Sequence, residues 1–417
     1  MQKRVLFISN GYGEDSFAAL ILSEFLKETM RKEIPCFVDV LPLVGEGKVF
    51  AELVHSFPQR IRLLHSSPHL PFGGVYLGEP LRRFFRFLRD LLGGGLQNTC
   101  SVIRLLLRFS SSFDMVVGVG DVFPLLLGLL FARKKVYLFA CAHTALLRQK
   151  GKPYERLGRV TAHLFRHCAE KVYTRDAPTA LWLQNLRIKA EFLGFVGPEI
   201  PHSKDKEIIL FLPGHRRDWK ENFRFLYKVI TLSKDDLVPF PLHFVFPPER
   251  TTFEVAKVIQ EAGGLLLSCS SFRVENLPVS FSQGDYLTHL GRAKLVIGFA
   301  GTALEQAACL GIPCLEPYRE DAIQANRHFL QTRQTLLLRE ALIQGGGTPE
   351  ETAAILKNVL ANLLRFQKAA QNFAQRTWEG KMDGAKNIAL DLINTLRTPP
   401  KLPGRAPAGG DSRTGIR

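Results

Sequence analysis

One stretch late in the chain constrains the fold most: Leu295-Val-Ile-Gly-Phe-Ala-Gly-Thr-Ala-Leu-Glu-Gln-Ala-Ala-Cys-Leu-Gly-Ile-Pro313. Its apolar opening, Leu295 to Ile297, suits a strand buried on both faces, and such strands belong to parallel sheets covered by helices. Gly298 to Gly301 form a small-residue turn, and Ala303 to Leu310 are good helix formers. Gly311 stops that helix and Pro313 prevents its return. This order leaves backbone N–H groups unpaired at the helix start, beside the positive end of the helix dipole. A phosphate fits there, and Glu305 and Gln306 one turn further in can reach a sugar hydroxyl beside it. A βα unit of any doubly wound protein shows the same pattern, its glycines serving only close packing, so the stretch alone leaves both readings open.

The chain has 417 residues, room for two to three domains, and its 46% hydrophobic and 23% charged residues are ordinary globular composition. No uncharged apolar run reaches the length of a membrane span; Leu125 to Ala132 is too short. Lys3 and Arg4 precede an apolar run, as in a signal peptide. That run is brief and meets glycine and acids at once, which suits a first buried strand better. Seven cysteines without a C-x-x-C pair fit reduced thiols and argue against a disulfide framework or structural zinc site. His163 and His167 share a helix face, but no Glu follows His163, so the H-E-x-x-H metal pattern is absent. The net charge of +16 calls for an acidic partner: nucleic acid, anionic lipid or a phosphorylated substrate.

Read in order, Val5 to Ser9 is a strand, Asn10 to Ser16 a turn, and Phe17 to Met30 a helix. Gly11-x-Gly13 only half matches a dinucleotide fingerprint, and Glu14 and Asp15 put negative charge where a pyrophosphate would lie, so that loop suits a hydroxyl-bearing acceptor. Strands follow at Phe37 to Leu41, Met115 to Asp121, Val136 to Ala142, Val172 to Asp176 and Ala190 to Val196, with a helix over Glu155 to Ala169. Asp121 then stands at a strand's carboxyl end, where open α/β sheets place ligands; a helix cap is its plainer role. After the glycines and prolines of 194–201 the pattern restarts. Strands are expected at Ile208 to Leu212 and Leu242 to Phe246, and helices at Lys220 to Ser233, Phe253 to Ala262 and Tyr286 to Ala293. A further helix, capped by Thr348, continues toward Thr377, and a last one runs from Ala385 to Leu396. The expectation is α/β architecture with two Rossmann-like doubly wound domains, 1–197 and 198–397, facing a cleft. The last helix is positioned to cross back, and a disordered tail covers 398–417.

One segment stands apart by its composition. From Pro80 to Leu92, Arg82, Arg83, Arg86 and Arg89 interleave with Phe84, Phe85, Phe87 and Leu88, and Arg104 and Arg108 follow after three glycines. A basic helix with an apolar side is the pattern of an in-plane membrane anchor, and each Arg beside an anionic leaflet adds roughly 1 kcal/mol. A surface helix packed on its own sheet shows the same face. RNA binding fits less well, because these aromatics do not form a strand platform.

Ala300-Gly-Thr-Ala-Leu-Glu-Gln-Ala-Ala-Cys-Leu-Gly-Ile-Pro313 resembles the donor motif of lipid-A-disaccharide synthase, S-G-T-A-T-L-E followed by A-A-L-L-G-x-P. Phe211-Leu-Pro-Gly-His-Arg216 resembles that family's P-G-S-R segment, and Phe195-Val-Gly197 its F-V-G linker. Gly118 to Asp121 and Asn10 to Asp15 stand where its G-I-D and G-E-A-S-G-D stretches fall. The whole is most similar to the lipid-A-disaccharide synthase-related subgroup with its N-G-x-G-E-D start, over roughly residues 1 to 395. Two departures matter. An ungapped match puts the family's donor Glu at Gln306, with Glu305 one place off, and Ala300 replaces the family's Ser.

The resemblance implies a GT-B glycosyltransferase that needs neither metal nor cofactor and takes a nucleotide sugar, UDP-linked, as donor; no Asp-x-Asp motif is present. It implies donor contacts from Gly214, Arg216, Gly301, Thr302, Glu305 or Gln306, Gln324 and Asn326. The general base is expected at Asp121, with Glu14 and Asp15 behind it. The implied partners are the donor, a lipid or lipid-linked acceptor and an anionic membrane surface at the cytoplasmic face, with no nucleic acid. A UDP-sugar epimerase of the same layout, or a non-catalytic basic protein binding RNA or anionic lipid, are the alternatives.

Overall fold

The computed structural model describes residues 2–67, 89, 91–149, 152–153, 159–201, 206–214, 218–299, 301–322 and 326–398. Its apolar runs pair into two mostly parallel sheets. The first holds β1 (Lys3–Ser9), β2 (Cys36–Pro42), β3 (Ile61–Leu63), β4 (Met115–Val119), β5 (Val136–Phe139), β6 (Ala169–Tyr173) and β7 (Ala190–Glu191), in the order β3-β2-β1-β4-β5-β6-β7. The second holds β8 (Ile208–Leu212), β9 (Leu242–Phe246), β10 (Leu265–Ser268), β11 (Ser271–Val274), β12 (Leu277–Gln283), β13 (Ala293–Gly298), β14 (Cys314–Glu316) and β15 (Leu342–Gln344), in the order β10-β11-β12-β9-β8-β13-β14-β15. The central strands, such as Val-Leu-Phe-Ile of β1 and Ile-Ile-Leu-Phe-Leu of β8, are buried along their length, because helices cover both faces.

Both sheets reverse their strand order beside their first strand. Val5 of β1 lies opposite Val38 on one side and Met115 on the other; Ile209 of β8 lies opposite Leu242 and Leu295. A doubly wound sheet opens a crevice where its order reverses, outside the strands' carboxyl ends. Here the two crevices are bounded by Asn10 and Gly120 in the first half and by Pro213 and Phe299 in the second.

The helices that matter below are α1 (Tyr12–Arg31), α2 (Leu96–Phe109), α3 (Val122–Leu130), α4 (Ala177–Asn185), α5 (Trp219–Leu232), α6 (Tyr286–Arg292), α7 (Gly301–Cys309), α8 (Pro349–Ala361), α9 (Leu363–Trp378) and α10 (Gly384–Arg397). α10 packs on the first sheet: Ala385, Ile388, Ala389, Leu392 and Ile393 share a core with Val5 and Phe7 and with Ile21, Leu22 and Phe25 of α1. Lys171 and Tyr173 of β6 both reach its Asp391, at 2.9 and 2.6 Å. The second sheet's core is a phenylalanine cluster in which Phe211 and Phe244 stack at 5.0 Å and Phe223 sits edge-on at 5.2 Å to Phe244.

Several elements differ from the sequence expectation. α1 starts at Tyr12, so the predicted turn over Asn10 to Ser16 is mostly helix, and Glu14 and Asp15 lie in its first turn. The strand expected to run to Val196 ends at Glu191, because Phe195 donates its N–H to Lys381 and accepts from Gly384, pairing with the start of α10 instead. The β10–β12 antiparallel extension went unseen. Serines interrupt its apolar residues, although Leu277, Val279 and Phe281 alternate inward along β12. α8 and α9 are two helices, broken at Asn362. The tail at 399–417 lies outside the described residues.

Candidate functional site

A cavity of about 580 Å³ opens at the second sheet's crevice and reaches the first half at Arg175. Gly214, Gly301, Thr302 and Glu305 all line it. Phe299 donates its N–H to Leu212 at 2.9 Å, which holds the turn after β13 against the end of β8. Gly214 has φ 83°, and a Cβ there would come within 3.2 Å of the Phe299 carbonyl oxygen, so both backbone shape and close approach ask for glycine. Its loop is held from behind. Asn222 of α5 donates to Pro213 at 2.9 Å and accepts from Arg319 at 2.7 Å. Gly214→Ala is therefore expected to cost about 1–3 kcal/mol; an unshifted melting curve would refute this account of the turn.

The first residues of α7 line this cavity, and the amides and dipole of a helix start favour an anion there. The two candidate ribose contacts are placed differently. Glu305 lies on the cavity wall, whereas Gln306 is buried and accepts the Tyr286 hydroxyl from α6. Asn326 is a helix cap, accepting from the Phe329 N–H at 2.9 Å, and does not line the cavity. Arg216 and Gln324 lie outside the described residues.

Across the cleft the first sheet's crevice carries an acidic cluster. Asn10 at the end of β1 donates to Asp121 Oδ1 at 2.8 Å, and the same oxygen caps α3 by accepting the Phe123 N–H at 2.8 Å. Asp121 is thus held as a cap and a bridge between β1 and β4. Asp15 is only 2% exposed and accepts the Ser9 hydroxyl at 2.5 Å. Burial, with the Glu14 charge adding, pushes its carboxyl up to about 6 although Ser9 opposes the shift. Glu14 is half-buried; burial raises its pKa, and Asp121 adds to the rise while Arg175 opposes it.

Arg175 joins the two sides. It stands two residues past the end of β6, at the carboxyl edge of the first sheet. Its guanidinium donates to the Cys141 carbonyl at 3.3 Å and pairs with Glu305 of α7, both side chains being less than a fifth exposed. From the sequence, Arg175 is expected inside the strand Val172 to Asp176, with no role at a site. The signal that could have found it is positional: it stands at a strand's carboxyl end, as Asp121 does.

Of the basic segment, Arg82, Arg83, Phe84, Phe85 and Arg86 lie outside the described residues, and Arg89 is helical and exposed. The later arginines belong to α2. Its Val102 and Leu106 are buried in the first half's core while Arg104 and Arg108 face solvent, so α2 is a surface helix on its own sheet. No helix among the described residues is long and apolar enough to cross a membrane.

No protein-family model matches the chain, and no curated protein does. Solved structures do match. A UDP-GlcNAc 2-epimerase from Neisseria meningitidis bound to UDP-GlcNAc is 13% identical, with a TM-score of 0.52 over 94% of this chain and 99% of that one. A spinosyn rhamnosyltransferase complexed with thymidine diphosphate is 16% identical, with a TM-score of 0.52 over 95% and 100%. A UDP-glucose:anthocyanidin 3-O-glucosyltransferase in complex with UDP is 10% identical, with a TM-score of 0.55 over 95% and 99%. At such identities the likeness speaks for the fold alone. With the two doubly wound sheets facing one cleft, the chain has the GT-B fold.

Proposed function

We propose that this protein is a glycosyltransferase related to lipid-A-disaccharide synthase, moving a sugar from a nucleotide donor, UDP-linked, to a lipid or lipid-linked acceptor. The observation that carries the reading is the cavity in which the α7 start and Glu305 face the acids of the first half through Arg175. The nucleotides and sugar nucleotide bound in the matched structures support a donor of this class.

In this reading the diphosphate lies against the Gly301 and Thr302 amides and the Gly214 turn, with Arg216 gripping it as the family motif implies. Glu305 takes a ribose hydroxyl. As the bond to the sugar breaks, charge grows on the leaving diphosphate, and Arg175 is the first-half cation placed to meet it. The acceptor hydroxyl gives its proton to Glu14. Asp121 is engaged as a cap and Asp15 is sealed behind Ser9, whereas Glu14 is partly open and its affinity for a proton is raised. Glu14→Gln should lower kcat about 10²–10⁴-fold, with Asp121→Asn costing far less. The reverse ranking in a turnover assay would return the base to Asp121. Because the Glu14 pKa is raised, activity should climb with pH above the ordinary carboxylate range.

The test is incubation of the purified protein with nucleotide sugars and a lipid extract, following acceptor-dependent release of UDP. An epimerase is the second reading, favoured by the structural match to the enzyme bound to UDP-GlcNAc. It would convert the donor sugar with no acceptor present, so product analysis separates the two.

The acceptor's membrane gives the arginine segment its role. Reversing Arg82, Arg83, Arg86 and Arg89 to Glu should weaken binding to anionic vesicles by two orders of magnitude or more, at about 1 kcal/mol per charge removed. Vesicle sedimentation that is indifferent to this change would detach the segment from the membrane.

A further inference from the structure

The cavity contains a second polar pair to which the donor contacts above give no work. Glu316 ends β14, and Gln334 ends the widened helical turn Leu330–Gln334; both line the cavity. They are 2% and 3% exposed, and neither Glu316 Oε2 nor Gln334 Nε2 has a hydrogen-bond partner. Buried polar atoms left unpaired cost about 1–3 kcal/mol each, and they persist where a ligand completes them. Gln334 Nε2 stands 3.3 Å from where a Cβ on Gly301 would lie, so the amide points at the first residue of α7.

Burial pushes the Glu316 carboxyl up to about 8. Gln334 opposes this in part, without the geometry of a full hydrogen bond. Arg175, the cation that the first half brings to the cavity wall, is paired with Glu305 and not with Glu316. Cys314, two residues back on β14, is itself held as a neutral thiol by burial. At neutral pH Glu316 therefore carries its proton and offers an O–H beside the Gln334 N–H. Two neutral donors at a helix start suit the oxygens of an anion, whereas a carboxylate there would repel it.

We propose that Glu316 and Gln334 form a neutral donor pair that extends the α7 amides and holds the phosphate distal to the nucleoside in a bound nucleoside diphosphate. This rests on the nucleotide-sugar reading and adds a phosphate subsite to it. The subsite works only with the acid protonated. Affinity for the diphosphate is therefore steady up to about pH 8 and falls above it, after the last phosphate ionisation near 6 is complete.

The test is calorimetric titration of the full chain with UDP and with UMP between pH 7.5 and 9.5. UDP affinity should fall at least about tenfold over that range, while UMP, which lacks the distal phosphate, stays level. Glu316→Gln keeps a neutral donor and should abolish the pH dependence for UDP. Glu316→Leu and Gln334→Leu should each weaken UDP about tenfold and spare UMP. A flat wild-type UDP profile overturns the proposal, as does equal weakening of UDP and UMP in variants that melt normally. If the wild type binds neither nucleotide at any pH, the donor reading itself fails and the subsite goes with it.

Discussion

Arg175→Met is expected to lower turnover by about 10²–10³-fold and stability by about 2–3 kcal/mol. The stability loss comes first from Glu305. With its partner gone, that carboxylate remains less than a fifth exposed and faces the cavity without the guanidinium. Removing one member of a well-buried pair costs about 3–5 kcal/mol, and the residual exposure here reduces the figure. The rate loss has a separate origin. Arg175 is close enough to lower the Glu14 carboxyl and to pair with Glu305, so its charge lies between the proposed base and the proposed donor contact. Arg175→Lys should recover part of the rate but little of the paired geometry, since an ammonium lacks the planar fork. Pairing each variant with Glu305→Gln separates the two effects, because the double variant carries no orphaned carboxylate. If Arg175→Met melts lower yet turns over normally once folded, Arg175 is only a strut between the halves.

The architecture was legible because each half repeats one local pattern. Val5 to Ser9 and Ile208 to Leu212 are apolar runs followed by glycine turns, and the structure makes each the strand beside which its sheet reverses. The opening stretch gave the strand, turn and helix of β13 and α7 to within two residues. The elements lost were those whose signal is weak. β14 and β15 have three residues each and lie beside β13, where tertiary pairing and not local propensity makes them strands. The site was legible only where backbone makes it. Gly214, Gly301 and Thr302 announce themselves through turn chemistry, and all three reach the cavity.

Side chains whose setting depends on distant partners were silent. Arg175 and Glu305 are 130 residues apart, and nothing local marks either as half of a pair. Glu316 is still less visible. In the sequence it is one acid in Cys-Leu-Glu-Pro, and only burial at a strand's end makes it unusual. Asp121 shows the converse. The sequence left it between base and cap, and the structure shows the cap bond.

Glu316 also carries the second large effect, one that needs no ligand. Replacing it by Gln should stabilise the protein at pH 7 by up to about 3 kcal/mol. In the unfolded chain its carboxyl titrates at 4.5, and in the folded protein burial holds it to about 8. Between those values the native state binds a proton that the unfolded state has released, so stability falls as pH rises through that window. Gln has no such dependence. The two proteins should therefore differ least below pH 4.5, diverge steadily toward pH 8, and run parallel above it. For a half of roughly 200 residues, 3 kcal/mol corresponds to about 6–12 °C in melting temperature. Calorimetric scans at pH 4.5, 6 and 7.5 would show the gap opening. A gap of constant size would mean that the Glu316 carboxyl is not neutral when folded. A residue that weakens its own fold across the neutral range, beside the start of α7, is what a binding site retained against stability looks like. The same Gln variant that melts higher should also be the one whose UDP affinity no longer responds to alkaline pH.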